Sequence, residues 1–148
     1  MKILALDLGD RWIGAALSDA LKITCKPLET VELSNLTIFL STILKKEPIT
    51  TIVIGNPKTM RGNESDQTKK IHDQKKQLEE QFTQSAAGPL TWILWDERLS
   101  SKRASTVQNN KTDAESKKKS HSLAAAFILQ SYLDFLAFNT PQSSDLEN

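Results

Sequence analysis

The chain has 148 residues, 39% of them apolar, and a formal net charge of +1. That length fits one domain able to bury its own core, and the near-neutral balance rules out inferring a polyanion partner from global charge alone. The single cysteine, Cys25, excludes an internal disulfide; between Thr24 and Lys26 it reads as a small core residue with nothing nearby to support a nucleophile.

Ile3 to Leu8 reads as a buried strand interrupted by one carboxylate, Asp7. Trp12 to Leu17 reads as a second strand, and the Gly9-Asp10-Arg11 link is short enough for a hairpin. Ile23 to Val31 is a third extended segment, and Pro27 suits an edge strand. Leu33 to Lys45 changes to helical period, with Ser34 or Asn35 as cap and Pro48 beyond the end. The β-branched run Thr50 to Ile54 has the look of a buried strand in a parallel or mixed sheet, closed by Gly55-Asn56-Pro57. The loop that follows carries Lys58 and Arg61.

A helix is expected from about Ser65 to Phe82, with His72 on its solvated face. Ser85 to Pro89 reads as a loop and Leu90 to Trp95 as another strand, ending in Asp96-Glu97-Arg98. Leu99 to Val107 reads as a helix, and Gln108 to Ser120 as a polar surface loop. His121 to Phe138 is apolar nearly all round, which predicts a helix packed centrally on the sheet. Residues 1–138 thus form one domain of mixed sheet and crossover helices, and 139–148 a polar tail. The N-terminus lacks the pattern of a signal peptide and no apolar stretch reaches the ~18 residues of a membrane span, so a cytoplasmic protein with no membrane partner is expected.

Two acids, Asp7 and Glu97, each end an apolar strand. A carboxylate in a buried strand is costly unless compensated. If the two strands are neighbours, the acids converge on one sheet edge, and a divalent cation relieves their repulsion. Hard oxygen ligands favour Mg²⁺ or Mn²⁺, with Asp7 and Glu97 as the metal ligands. Such a site suits phosphodiester hydrolysis. Between Ser100 and Ser122 six Lys/Arg face two acids, Asp113 and Glu115; this basic stretch, with Lys117, Lys118 and Lys119, is the footprint of a polyanion partner or a solubilising run. Arg98 pairs with Asp96 or contacts phosphate, and Arg11, Lys58 and Arg61 are further candidates for nucleic-acid contact. Trp12, Trp92 and Trp95 read as core rather than as base-stacking platforms.

Several motifs together resemble the YqgF family, also called RuvX: Ile3-Leu4-Ala5-Leu6-Asp7-Leu8-Gly9 with Ile13-Gly14-Ala15-Ala16-Leu17-Ser18-Asp19, Pro27-Leu28-Glu29-Thr30, Val53-Ile54-Gly55-Asn56-Pro57, Trp95-Asp96-Glu97-Arg98-Leu99-Ser100, and Leu123-Ala124-Ala125 leading to Leu133. The resemblance implies a ribonuclease-H-like α/β fold, a mixed central sheet with helices on both faces. It also implies a metal-dependent nuclease with catalytic roles at Asp7 and Glu97, acting on pre-16S rRNA or on branched DNA such as a Holliday junction. One position departs from the family pattern. Two residues before Leu123, where the family usually has an aspartate, stands His121. Either the third ligand is lost and activity weakens, or imidazole replaces it as a nitrogen ligand, general base or phosphate contact.

Three functions therefore compete: a nuclease, a nucleic-acid-binding factor that kept the fold and lost the chemistry, and a sugar-kinase-like phosphate binder suggested by Asp-Leu-Gly-x-x-x-x-Gly. One domain of this size is too short for the last, whose members close two domains on a nucleotide. No apolar face large enough to argue for a stable dimer is legible, so a monomer or weak homodimer is expected.

Overall fold

The structure is a computed structural model that describes residues 1–9, 11–56, 66–96 and 114–139, with side chains in the two later helices described from 69 and from 121. Strands β1 (Lys2–Leu8), β2 (Trp12–Ser18) and β3 (Cys25–Glu32) form an antiparallel meander. A 3₁₀ turn (Leu33–Asn35) leads into helix α1 (Leu36–Lys46), and strand β4 (Ile49–Asn56) returns parallel to β1. Helix α2 (Asp66–Gln81), the short strands β5 (Gln84–Ser85) and β6 (Gly88–Pro89), and strand β7 (Thr91–Asp96) follow. Helix α3 (Ala114–Asn139) comes last among the described elements. The main sheet has the order β3-β2-β1-β4-β7.

Alternation along the strands sorts the core into two halves. Leu4, Leu6 and Leu8 of β1, with Ile52 and Ile54 of β4, pack against Leu36, Leu40, Ile43 and Leu44 of α1 and Ile71 and Leu78 of α2. Ile3 and Ala5, with Ala16 and Val53, pack against Ala125, Ile128, Leu129, Tyr132 and Leu133 of α3. Helices therefore cover both faces of a mixed sheet, as expected. Pro27 sits on β3, at the sheet edge, where a missing N–H costs least.

Several local expectations are corrected. The Ser85–Pro89 segment is a miniature hairpin: β5 pairs with β6 around Ala86 and Ala87, and Gly88 takes φ +116°. The Ala86 N–H donates to the Leu44 carbonyl at 2.8 Å, which ties the hairpin to α1. Residues 114–120, expected in a polar loop, are helical. Their lack of apolar groups argues only against burial; Ala, Glu and Lys are strong helix formers, and a helix already nucleated by packing propagates into them cheaply. Asn35 occupies the N-cap of α1 but makes no side-chain cap bond.

Helix α3 buries one stripe rather than its whole girth: Phe138 is 92% exposed and Phe135 47%. By length and composition its His121–Asn139 stretch is long and apolar enough to cross a membrane, contrary to expectation, because uncharged Ser and Gln interrupt the run without lowering its mean hydropathy below 1.2. Here that stretch lies against β1, β2 and β3. The indoles of β7 behave as core. Trp92 Nε1 donates to the Phe82 carbonyl at 3.0 Å, and Trp95 Nε1 donates to Ser131 Oγ at 3.2 Å while meeting Tyr132 edge-on. The expected helix over 99–107 and the tail beyond Asn139 lie outside the described residues.

Candidate active site

Asp7 stands one residue from the end of β1, where the parallel strands β1, β4 and β7 finish. It shares the side of Ile3 and Ala5, so its carboxylate is directed to the α3 layer. His121 lies on α3, and its Nδ1 is 3.3 Å from Asp7 Oδ2. Both side chains are partly shielded, at 30% exposure for His121 and 16% for Asp7. The pair joins residues 114 apart in the chain. Only the Oδ2 contact of Asp7 is recorded among the described residues, and a carboxylate has about four acceptor positions, so acceptor capacity is left for a further partner.

Two glycines border the pair. Gly14 is the direct cross-strand partner of Asp7. A Cβ built on Gly9 would lie 3.2 Å from His121 Cε1, and one on Gly14 only 2.0 Å from the His121 carbonyl oxygen. The sequence placed Gly9 in the hairpin link and Gly14 within the second strand, and both in the Asp-Leu-Gly-x-x-x-x-Gly pattern. The available signal was Gly14 itself, a glycine inside an apolar strand, which marks close backbone approach.

The strands of the two candidate acids are not neighbours. β4 lies between β1 and β7, because β4 pairs with β1 on one edge and β7 on the other. With strands about 4.8 Å apart, β1 and β7 are separated by roughly 10 Å. The register aligns Leu6 with Ile54 and Ile54 with Leu94, so the three strand ends are level. Asp96 falls opposite Asn56 on the side of Trp92 and Leu94, the face away from α3. That agrees with its expected structural role. Asn56 is 3% exposed, and its Oδ1 has no hydrogen-bond partner among the described residues. Sequence reading did not single it out.

Glu97, Arg98, Lys58 and Arg61 lie outside the described residues. Lys117, Lys118 and Lys119 fall within α3, on the helical turn that precedes His121. Arg11 is exposed at the hairpin tip, its guanidinium carbon 5.3 Å from the Trp12 ring centroid. His72 is exposed on α2, as expected. Among the described residues no three His, Cys, Asp or Glu side chains gather into a metal-binding group. A cleft of about 320 Å³ opens on the other face beside Leu8, Gly9, Lys70 and Ile71, and it includes neither Asp7 nor His121.

Away from the site, Cys25 Sγ donates to the Ala126 carbonyl at 3.2 Å. Burial, helped by the nearby Asp134 and Asp19 carboxylates, pushes this thiol up to about 11. It is a packing residue, as the sequence suggested. Asp19 accepts the Ile23 and Thr24 N–H groups, and the Ile23 bond chiefly holds its carboxyl below the usual range.

Comparison with known proteins fits this geometry. The family described as "RuvX: Holliday junction resolvase" matches residues 1–135. Relatives named "Putative pre-16S rRNA nuclease" include one from Caldicellulosiruptor bescii, 36% identical over 140 residues, covering 91% of this chain and 97% of the relative. Another, from Rubrobacter xylanophilus, is 32% identical over 133 residues, covering 90% and 92%. A third, from Desulfitobacterium hafniense, is 34% identical over 148 residues, covering 98% and 100%. Among solved structures, T. thermophilus RuvC in complex with a Holliday junction substrate superposes with a TM-score of 0.60 at 13% identity, over 95% of this chain and 98% of that one. At that identity the likeness concerns the fold alone, and it agrees with the ribonuclease-H-like sheet. The sequence matches run from Met1 through α3, and with them the chain belongs to the RuvX family.

Proposed function

We propose that this chain is a nuclease that hydrolyses phosphodiester bonds of structured nucleic acid, and that its substrate is the 5′ end of pre-16S rRNA in ribosome biogenesis. The observation that carries the reading is the pairing of Asp7 with His121 at the C-terminal edge of three parallel strands, on the face covered by α3. The names carried by its relatives support the substrate class. Such a substrate implies the compartment in which ribosomal RNA is made, and a working domain over 1–138.

The donor set fits a divalent cation. A charge-assisted N–H to carboxylate bond is usually 2.7–2.9 Å long; the 3.3 Å between Nδ1 and Oδ2 is longer. Asp7 and His121 would hold such an ion through a carboxylate oxygen and an imidazole nitrogen. Glu97, which follows the last residue of β7 in the sequence, is the further acid of the proposed site. A divalent cation supplies Lewis acidity toward the phosphodiester and the attacking water. Asp7 anchors the site from a rigid strand, and His121 confines the carboxylate to one orientation. Nitrogen in the donor set suits Mn²⁺ better than Mg²⁺. Lys117, Lys118 and Lys119 supply positive charge for the phosphate backbone one helical turn before His121, and Arg11, Lys58, Arg61 and Arg98 extend it.

The test is cleavage of a 5′-extended 16S precursor with Mn²⁺ or Mg²⁺. Wild-type chain should cut and Asp7→Asn should not. Wild-type binding without cleavage under both ions would instead favour the second reading, a binding factor that kept the fold. His121 in place of the family's acid is what gives that reading its weight.

A further inference from the structure

The backbone of helix α3 comes very close to β2 at His121 and Ser122. An ideal Cβ on Gly14 would sit 2.0 Å from the His121 carbonyl oxygen, 2.2 Å from its carbonyl carbon and 2.6 Å from the Ser122 nitrogen. All three are backbone atoms, which cannot swing aside as a side-chain tip would. Two residues along the same face of β2, Ala16 keeps its methyl group within the α3 cluster. The contact without room for a methyl is therefore local to the site. Conformation does not require glycine at either position, since among the described glycines only Gly88 has positive φ. What is required is the missing side chain.

We infer that Gly14, assisted by Gly9, is a positioning residue whose missing side chain lets α3 settle onto the hairpin and sets the His121 imidazole beside Asp7. The inference rests on the reading of Asp7 and His121 as one site. Gly14 is the register partner of Asp7, so the helix backbone fills the space beside the carboxylate where a cross-strand side chain would otherwise stand. Gly9 borders the ring from the other side: a Cβ there would lie 3.2 Å from Cε1, a tight contact, and 2.6 Å from the Trp12 carbonyl oxygen. Restoring ordinary contact at 3.4 Å from the present 2.0 Å would lift the helix by about 1.4 Å. Sites of this kind tolerate about 0.5 Å, so that lift separates Nδ1 from Oδ2 beyond any shared ligand.

The test uses the full ¹⁵N-labelled chain. In wild type, an NOE between the Gly14 α-protons and the Ser122 amide proton is expected, and its absence overturns the geometry without any variant. Gly14→Ala should move the His121 imidazole ¹⁵N signals and weaken Mn²⁺ binding at least tenfold by calorimetry. In a His121→Ala background the same substitution should change Mn²⁺ affinity by less than twofold, since its effect runs through the imidazole. A folded Gly14→Ala chain with unchanged imidazole signals refutes the inference, whatever happens to its thermal stability. Should Gly14→Ala not fold, the wild-type NOE between Gly14 and Ser122 still decides, and its absence refutes the inference. A wild-type chain that binds no Mn²⁺ would undo the cation reading while leaving the NOE and imidazole tests of Gly14 intact.

Discussion

His121→Asp installs, where this chain carries imidazole, the acid that the family resemblance implies, and its cost can be worked from the geometry. Asp oxygens reach about as far from the backbone as Nδ1 does, so the new carboxylate faces Asp7 across the 3.3 Å gap now spanned by Nδ1 and Oδ2. Two unit charges about 4 Å apart at an effective dielectric of about 20 repel by about 4 kcal/mol. With the present side chains 30% and 16% exposed, solvent and salt screen much of this. A net cost of about 1–2 kcal/mol remains, a fall in Tm of roughly 2–8 °C for a domain of this size. A divalent cation that binds only the folded state at a hundred times its Kd returns about 2.7 kcal/mol, enough to erase the deficit. The assay is thermal unfolding of wild type and variant without metal, with Mg²⁺ and with Mn²⁺. The variant should be less stable without metal, gain more from Mg²⁺ than wild type does, and show a smaller preference for Mn²⁺. If its metal-free Tm matches wild type and its Mg²⁺ response is no larger, residue 121 does not share a cation site with Asp7.

Three other outcomes follow from the same coordinates. With its thiol pushed up to about 11, Cys25 is almost wholly protonated at pH 8, so iodoacetamide should label it about a hundredfold more slowly in folded than in urea-unfolded chain, as read by mass spectrometry. Lys2 holds the Glu47 carboxyl below its ordinary value through a 2.9 Å ion pair. The unfolded chain therefore binds more protons here, and this stabilisation, present at neutral pH, is lost as pH falls below about 4.5; Glu47→Gln should flatten the acid limb of a Tm-against-pH profile, and an unchanged limb would count against the pair. Asn56→Val removes a buried acceptor that has no partner among the described residues, so it should raise stability by about 1 kcal/mol in urea titration; a loss of similar size would mean that Asn56 Oδ1 is satisfied in solution.

Much of the fold was legible because strand and helix leave periodic marks in the chain itself. Alternation and β-branching located β1, β2, β4 and β7 to within a residue or two, and the 3.6-residue stripe located α1 and α2. Errors came where polarity was taken for absence of structure. The lysine-rich start of α3 is helical although its composition is polar, and the small β5–β6 hairpin has too few side chains to show a period. The site was half legible. Asp7 announced itself as a charge inside an apolar strand, and His121 as a departure from a family pattern. That they meet was implied by the family resemblance, and nothing in the spacing near either residue says so.

By itself the sequence determined an α/β domain whose first strand carries a carboxylate near its end, and local spacing carries both. Its motifs resemble the RuvX family, and that resemblance, not spacing, implies an acid where His121 stands. Only the tertiary structure decided that β4 separates the two acid-bearing strands, that Asp96 faces away from α3, and that His121 comes to 3.3 Å from Asp7 over a slot without a side chain at Gly14. Strand order and helix height are set by the collective fit of both core layers, in which each residue's place depends on partners far along the chain. No short stretch of sequence holds that information.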